Sequence, residues 1–486
     1  MTAFERVRTP LLWIAFALLV LVGLAQTSAA KPPLGLRGFA PGMLPWEPSS
    51  LTVTVILFLA YSLGAAGVLL GLLHRTGRSA SWPWVFALAV LALLTGPFGS
   101  GDHTNYAAYG RIAVQGGDPY SQSPIDWRGG LDPITAAVQP PWQHTPSIYG
   151  PFATSLQAFS NLIGGDNLRE TVWIWQIFVV ASWLVTRWLL RQIAWEERSR
   201  RRIDVLWTFN PLVFGVLVLG AHVDAIAGVL AVAALVTMRR SALATGVLVG
   251  TAASTKLTYA VVALGIIWAW RQCGEADQLV RRVRNLVLGV LLILVPCFAV
   301  AGPHAFHQFG AAGGSFSYAS PWSLVIRLLR TFLPEWAVTT VAFVLAAATM
   351  IALSYGFHRV ANRYVLGRWI ANPMLRQAVA TTFALNTAYV VAAPYSLPWY
   401  DTLTWALLPL LAPFAWDPAL VVRYLFMALA YVPGRVQGVQ SSVETWTLGF
   451  RENVSPWVGW IVLGALAVWM RRAGIGRPAP RTPVRR

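Results

Sequence analysis

The segment Gly101-Asp102-His103-Thr104-Asn105-Tyr106 puts a carboxylate where an apolar run gives way to polar chain. A carboxylate at a water-accessible membrane surface can act as general base toward an attacking hydroxyl. Asp102 is also well placed to N-cap the helix-like stretch that follows, His103 to Gln115. Asp118, in Gly-Gly-Asp-Pro-Tyr, reads either as a turn residue or as a second carboxylate that binds substrate hydroxyls or orients the base. His222 and Asp224, in Gly-Ala-His-Val-Asp-Ala, occupy the tip between two apolar runs. A metal pair would lack a third ligand nearby. A helix-ending cap and a hydrogen-bonding pair facing the Asp102 loop are the remaining readings. Lys256 stands inside an apolar stretch of a chain whose only other lysine is Lys31. An intramembrane cation is costly unless paired. A phosphate would pair with it, and snorkelling to the outer surface is the alternative. Arg327 and Arg330, after Ser320-Pro321-Trp322, are further anion-binding candidates or interfacial anchors. Asp126 and Asp132 read as ordinary loop residues.

These groups must be held by apolar elements. The chain has 486 residues, 56% hydrophobic and 12% charged, with a mean hydropathy of +0.56. Soluble globular chains carry about 25% charged residues, so the solvent here must be lipid. Soluble enzyme, secreted domain and disordered scaffold are excluded. The net charge of +18 could suggest nucleic acid. Almost all of the basic residues are arginine, however, set in short clusters between apolar runs, which reads as a topology signal with no nucleic-acid partner. The 24 tryptophans suit an interfacial belt. Cys273 and Cys297 make no disulfide framework and lie in no metal-binding spacing.

A span needs about 20 apolar residues. Spans are expected near 11–29, 51–73, 82–98, 171–192, 203–220, 224–238, 285–301, 336–357, 375–393, 401–415, 418–433 and 454–470. The first could be read as a signal peptide, but a retained helix fits a chain with many later spans better. Residues 242–270 begin and end beside arginines, so they must go up and back as two short helices with a tip near Lys256. Broken helices of this kind line cavities. Residues 149–165 are expected to form an outer-face interfacial or re-entrant helix.

The expectation is an all-α polytopic membrane protein of about 14 crossings, with both termini cytoplasmic and the arginine clusters inside. Residues 1–472 form a single transmembrane domain. Within it, 99–170 is an outer-face catalytic loop with interfacial helices. Residues 473–486 are an Arg/Pro-rich cytoplasmic tail expected to be disordered.

No Walker A motif, dinucleotide fingerprint or His-Glu-x-x-His is present. No large cytoplasmic domain exists to bind a nucleotide sugar. A transferase built this way must receive its donor through the membrane, attached to a lipid.

The chain resembles the GT-C superfamily of integral-membrane glycosyltransferases. Within it, the chain is similar to the polyprenol-phosphate-mannose-dependent α-1,6-mannosyltransferases of the actinobacterial cell envelope. The matching text is Asp102, Tyr106-Ala-Ala-Tyr109-Gly110-Arg111, Gly116-Gly117-Asp118-Pro119-Tyr120 and Tyr149-Gly150-Pro151. It continues with Asn210-Pro211-Leu212, Gly220-Ala221-His222-Val223-Asp224-Ala225, Lys256-Leu257 and Pro398-Trp399-Tyr400.

The resemblance implies a polyprenyl phosphate mannose donor, inversion at the anomeric carbon and a glycolipid or lipoglycan acceptor, with the active site on the outer face of the bacterial cytoplasmic membrane. It makes Asp102 the catalytic base and implies no metal or other cofactor. Together with Arg327, singled out above by its position, it marks Asp118, Tyr106, Tyr109, Tyr149, His222, Asp224, Lys256, Trp399 and Tyr400 as substrate-binding candidates, with tyrosine and tryptophan rings stacking on sugar faces. A GT-C arabinofuranosyltransferase with another lipid-linked donor shares this scaffold. A transporter or lipid flippase is the non-enzymatic alternative.

Overall fold

In hydrocarbon a chain must satisfy its own backbone N–H and C=O groups, which the α-helix does within one segment. The computed structural model describes residues 3–35, 37–74, 81–274, 276–306, 315–364, 369–434 and 438–475, and these are helices joined by turns and loops, with no β-strand among them. Arg75, Arg78, Arg368, Arg435 and the tail beyond 475 lie outside the described residues.

Among the described residues, six helices are long and apolar enough to cross a membrane: Phe4–Leu24, Ser50–Leu73, Leu168–Ile193, Gln278–Ala301, Glu335–Asn362 and Ser441–Ala473. Trp82–Leu94, Asp224–Thr237, Ala242–Thr255 and Leu257–Cys273 are apolar but shorter. The chain is therefore a polytopic helical membrane protein, without a one-to-one match to the expected 14 crossings. Proline breaks two of the expected spans. The expected span 203–220 is interrupted at Asn210-Pro211, where the Asn210 side chain accepts the Leu212 N–H and wide π-type turns flank the break. The expected span 401–415 ends as a helix at Leu407 and tightens into a single 3₁₀ turn around Pro409.

One large hydrophobic core runs from Leu12 and Phe16 in the first helix to Met470 in the last. Ala242–Thr255 and Ala276–Ala301 pack backbone against backbone. A Cβ on Gly246 would sit 2.1 Å from the Leu286 carbonyl oxygen, which is the small-residue contact that holds helices together in lipid.

Two sequence expectations change here. Trp175, Trp183, Trp207, Trp270, Trp405 and Trp416 are fully buried inside the bundle rather than set in a belt. Where an indole N–H is bonded it often finds a backbone carbonyl, as Trp207 does on Trp183 at 3.1 Å. The arginine cluster 187–202 is also more than a topology signal. Arg187 pairs with Asp204 at 3.1 Å, and Arg202 with Asp417 at 2.7 Å, both within the fold.

Candidate active site

Asp102 opens the helix Asp102–Val114, with Gly101 at the cap position and no side-chain cap hydrogen bond. The preceding loop is pinned from two sides: Phe98 N–H donates to the Leu219 carbonyl at 3.1 Å and Gly99 N–H to that of Ala30 at 2.8 Å. The Asp102 carboxylate sits in the first helical turn, where the helix dipole favours negative charge. Its neighbours are side chains. Tyr106, one turn along, donates its hydroxyl to Oδ2 at 3.4 Å. His222 Nδ1 lies 3.3 Å from the same oxygen, in charge contact rather than an aligned hydrogen bond. His103 points into the bundle, fully buried with neither ring nitrogen hydrogen-bonded. Burial pushes its pKa down to about 3, against the pull of Asp102, so His103 is a poor proton acceptor.

The turn Gly220–Asp224 sends its two polar residues to different partners. Ala221 adopts a left-handed φ of 51°, and its carbonyl accepts the Trp175 indole N–H at 2.8 Å. His222 then faces Asp102 and stacks flat on Trp399, with centroids 3.8 Å apart and planes at 12°. Asp224 is wholly buried. It accepts two hydrogen bonds from Lys256 Nζ, at 2.8 and 2.9 Å, and one from the Tyr259 hydroxyl at 3.1 Å.

Lys256 sits where the helix Ala242–Thr255 breaks into extended backbone, at the expected tip, with Nζ 3.7 Å from the Tyr400 ring centroid. The Tyr149-Gly150-Pro151 segment docks beside it. Gly150 N–H donates to Thr255 O at 3.2 Å, and a Cβ on Gly150 would lie 2.1 Å from Ser254 O. Only glycine permits that approach, which brings Tyr149 to the edge of Tyr106 at 5.1 Å.

These groups surround a cavity of about 510 Å³. Asp102, Tyr109, Tyr149, Lys256, Trp399 and Tyr400 line it. Tyr106, His222 and Asp224 stand immediately behind, in contact with those lining residues. Sequence reasoning did not single out Asn105, Trp142, Tyr318, Tyr395, Tyr431, Glu444 or Arg451, which also line it. Tyrosine and tryptophan are common throughout this chain and Arg451 is one arginine among many, so composition gave them no contrast, whereas Lys256 stood out by rarity.

Two candidates lie elsewhere. Asp118 accepts the Tyr120 N–H and the Ser121 hydroxyl, each at 2.9 Å, and pairs with His304 Nδ1 at 2.6 Å. Burial raises its pKa, but these hydrogen bonds outweigh that and hold the carboxyl below the ordinary range. Asp118 thus ties the long polar loop to the end of the helix Ala276–Ala301. Arg327 is exposed and donates to the Glu452 carbonyl at 2.7 Å and to Asn453 Oδ1 at 3.2 Å. Within the polar loop, Asp132 is a structural partner of Arg111 at 2.9 Å. No three His, Cys, Asp or Glu side chains converge as a metal site among the described residues.

A helical membrane bundle whose aromatic cavity is lined by a carboxylate and cations defines a membrane protein with a site suited to sugars. The family model described as "Alpha-(1->6)-mannopyranosyltransferase, N-terminal domain" matches residues 12–272, and the chain belongs to that family. It is similar to alpha-(1->6)-mannopyranosyltransferase A of Corynebacterium glutamicum, 22% identical over 389 residues, which is 75% of this chain and 75% of the relative. It is also similar to alpha-(1->6)-mannopyranosyltransferase B of the same organism, 31% identical over 166 residues, 33% of this chain and 26% of the relative. No solved structure matches the chain. The protein is a membrane glycosyltransferase of the mannosyltransferase type. The matched stretch contains Asp102, His222, Asp224 and Lys256, whereas Trp399, Tyr400 and Arg451 lie beyond it.

Proposed function

We propose that the protein transfers mannose from polyprenyl phosphate mannose to a lipid-linked mannan or lipoglycan acceptor, forming an α-1,6 linkage at the outer face of the bacterial cytoplasmic membrane. The observation that carries this reading is the Asp102 carboxylate in the wall of an aromatic cavity, held by Tyr106 and His222. Asp102 takes the proton from the acceptor hydroxyl as that oxygen attacks the anomeric carbon. The bond from that carbon to the phosphate oxygen breaks with inversion, and the polyprenyl phosphate leaves with the electron pair. Two hydrogen bonds of Lys256 go to Asp224, so Lys256 adds a directed donor more than net positive charge. Tyr109, Tyr149, Trp399 and Tyr400 offer faces for sugar rings. The scheme calls on no metal ion.

The test is transfer from polyprenyl phosphate mannose to a short α-1,6-mannoside in membranes containing the native protein or Asp102→Asn. The variant is expected to lose about 10²–10⁴-fold in rate at unchanged protein level. Native-like transfer by Asp102→Asn would remove Asp102 from the chemistry. No transfer by the native protein, where a related enzyme works, would defeat the donor assignment.

A further inference from the structure

We propose that Arg451 is the phosphate anchor of this cavity, contributed by the C-terminal part of the chain. The inference deepens the donor reading above and rests on it. Among the described residues, the cations lining the cavity are Lys256 and Arg451. The charge of Lys256 is already met by the buried Asp224. Arg451 is placed differently. Its Nε donates to the Ala430 carbonyl at 2.6 Å, and its guanidinium lies 4.7 Å over the Tyr431 ring. It forms no ion pair with a carboxylate among the described residues. Its two terminal nitrogens therefore remain for a bidentate contact, the geometry in which arginine binds phosphate most strongly.

The support beneath Arg451 is tied to a neighbouring helix. It sits in the wide helical turn Phe450–Val454, and Arg327 braces that turn by donating to Glu452 O and Asn453 Oδ1. Exposed Arg327 thus acts as a positioning residue for the turn.

A row of packed rings joins Arg451 to the proposed base. Tyr431, under the guanidinium, packs edge-on to Trp399 at 5.9 Å. Trp399 stacks on His222, and His222 meets Asp102. Cation and base therefore belong to one fixed wall, separated by aromatic faces on which a hexose can lie. A phosphate held at the Arg451 end and a hydroxyl deprotonated at the Asp102 end place the sugar between them, as displacement of the phosphate by that hydroxyl requires.

The test measures binding of decaprenyl phosphate and of the uncharged decaprenol to the full-length protein in lipid nanodiscs. The native protein is expected to prefer the phosphate by at least about tenfold. Arg451→Gln is expected to bind the phosphate about 10–100-fold more weakly, with decaprenol binding unchanged. Arg451→Lys should fall between, because it keeps the charge but loses the fork, and it serves as the readout if the glutamine variant does not accumulate as folded protein. Native preference for phosphate in both Arg451 variants overturns the assignment while leaving the donor reading intact. A native protein that binds phosphate and alcohol alike overturns the donor reading and this anchor together.

Discussion

At the scale of single residues, the two histidines near the proposed base take different roles. His103 follows Asp102 in sequence but is buried with its ring nitrogens unbonded. His222 is far away in sequence, yet it touches the carboxylate and stacks on Trp399. The stacking and the charge contact can be separated by substitution. His222→Phe keeps a flat ring on Trp399 and removes Nδ1. Its kcat for mannosyl transfer is expected to fall about tenfold or more, with KM for the donor little changed. His222→Ala, which also opens a gap beside Trp399, is expected to lose stability in addition. Full kcat in the phenylalanine variant with loss only in the alanine variant would assign His222 to packing alone.

At the scale of elements, the site is built from backbone approaches more than from long side chains. The helix Pro151–Gly164 begins where Gly150 lies against Ser254 and Thr255, and Phe152 N–H donates to Ser254 Oγ at 3.1 Å. This junction joins the Tyr149 strip of the cavity to the broken helix that carries Lys256. A branched side chain at Gly150 would force the two apart. Gly150→Val is expected to cost about 1–3 kcal/mol, seen as a lowered midpoint in thermal unfolding of the detergent-solubilised protein. Most of the transferase activity should be lost with it. Gly449, whose added Cβ would meet nothing within 4 Å, provides the contrast: Gly449→Ala is expected to leave the midpoint close to native. A Gly150→Val protein with native midpoint and activity would show that the junction yields without moving Tyr149.

At the scale of the whole molecule, the charge pattern orients the bundle. Because positive residues are retained on the cytoplasmic side, we propose that the arginine-rich segment around Arg271–Arg284 lies inside. The chain carries its own reporter there, because Cys273 is exposed. With Cys297→Ser to leave a single thiol, a membrane-impermeant maleimide is expected to label Cys273 in inside-out vesicles and not in intact cells. Labelling in intact cells would reverse the orientation and put the cavity on the cytoplasmic side. The same arginines also serve the interior. The Arg187–Asp204 and Arg202–Asp417 pairs are buried, so removing one partner leaves an uncompensated charge, which is strongly destabilising.

Composition and the spacing of apolar runs were enough to determine that this is a helical membrane protein. The chain must bury its backbone polar groups in helices wherever lipid excludes water. Local chemistry also marked Asp102, His222, Asp224 and Lys256, because polar groups stand out against so apolar a background. The break near Lys256 was legible from the arginines at both ends of 242–270. Sequence could not settle how many runs cross, because Asn210-Pro211 and Pro409 turn expected spans into short broken pieces that stand only by packing on their neighbours. Nor could it pair the charges. Asp102 could have capped its own helix, and Lys256 could have been left for a ligand. Only the tertiary structure brought His222 to Asp102, gave Lys256 to Asp224, and set Arg451 into the same cavity. Pairing depends on which residues distant in sequence become neighbours, and in lipid that is decided by close packing between helices rather than by the local pattern of any one of them.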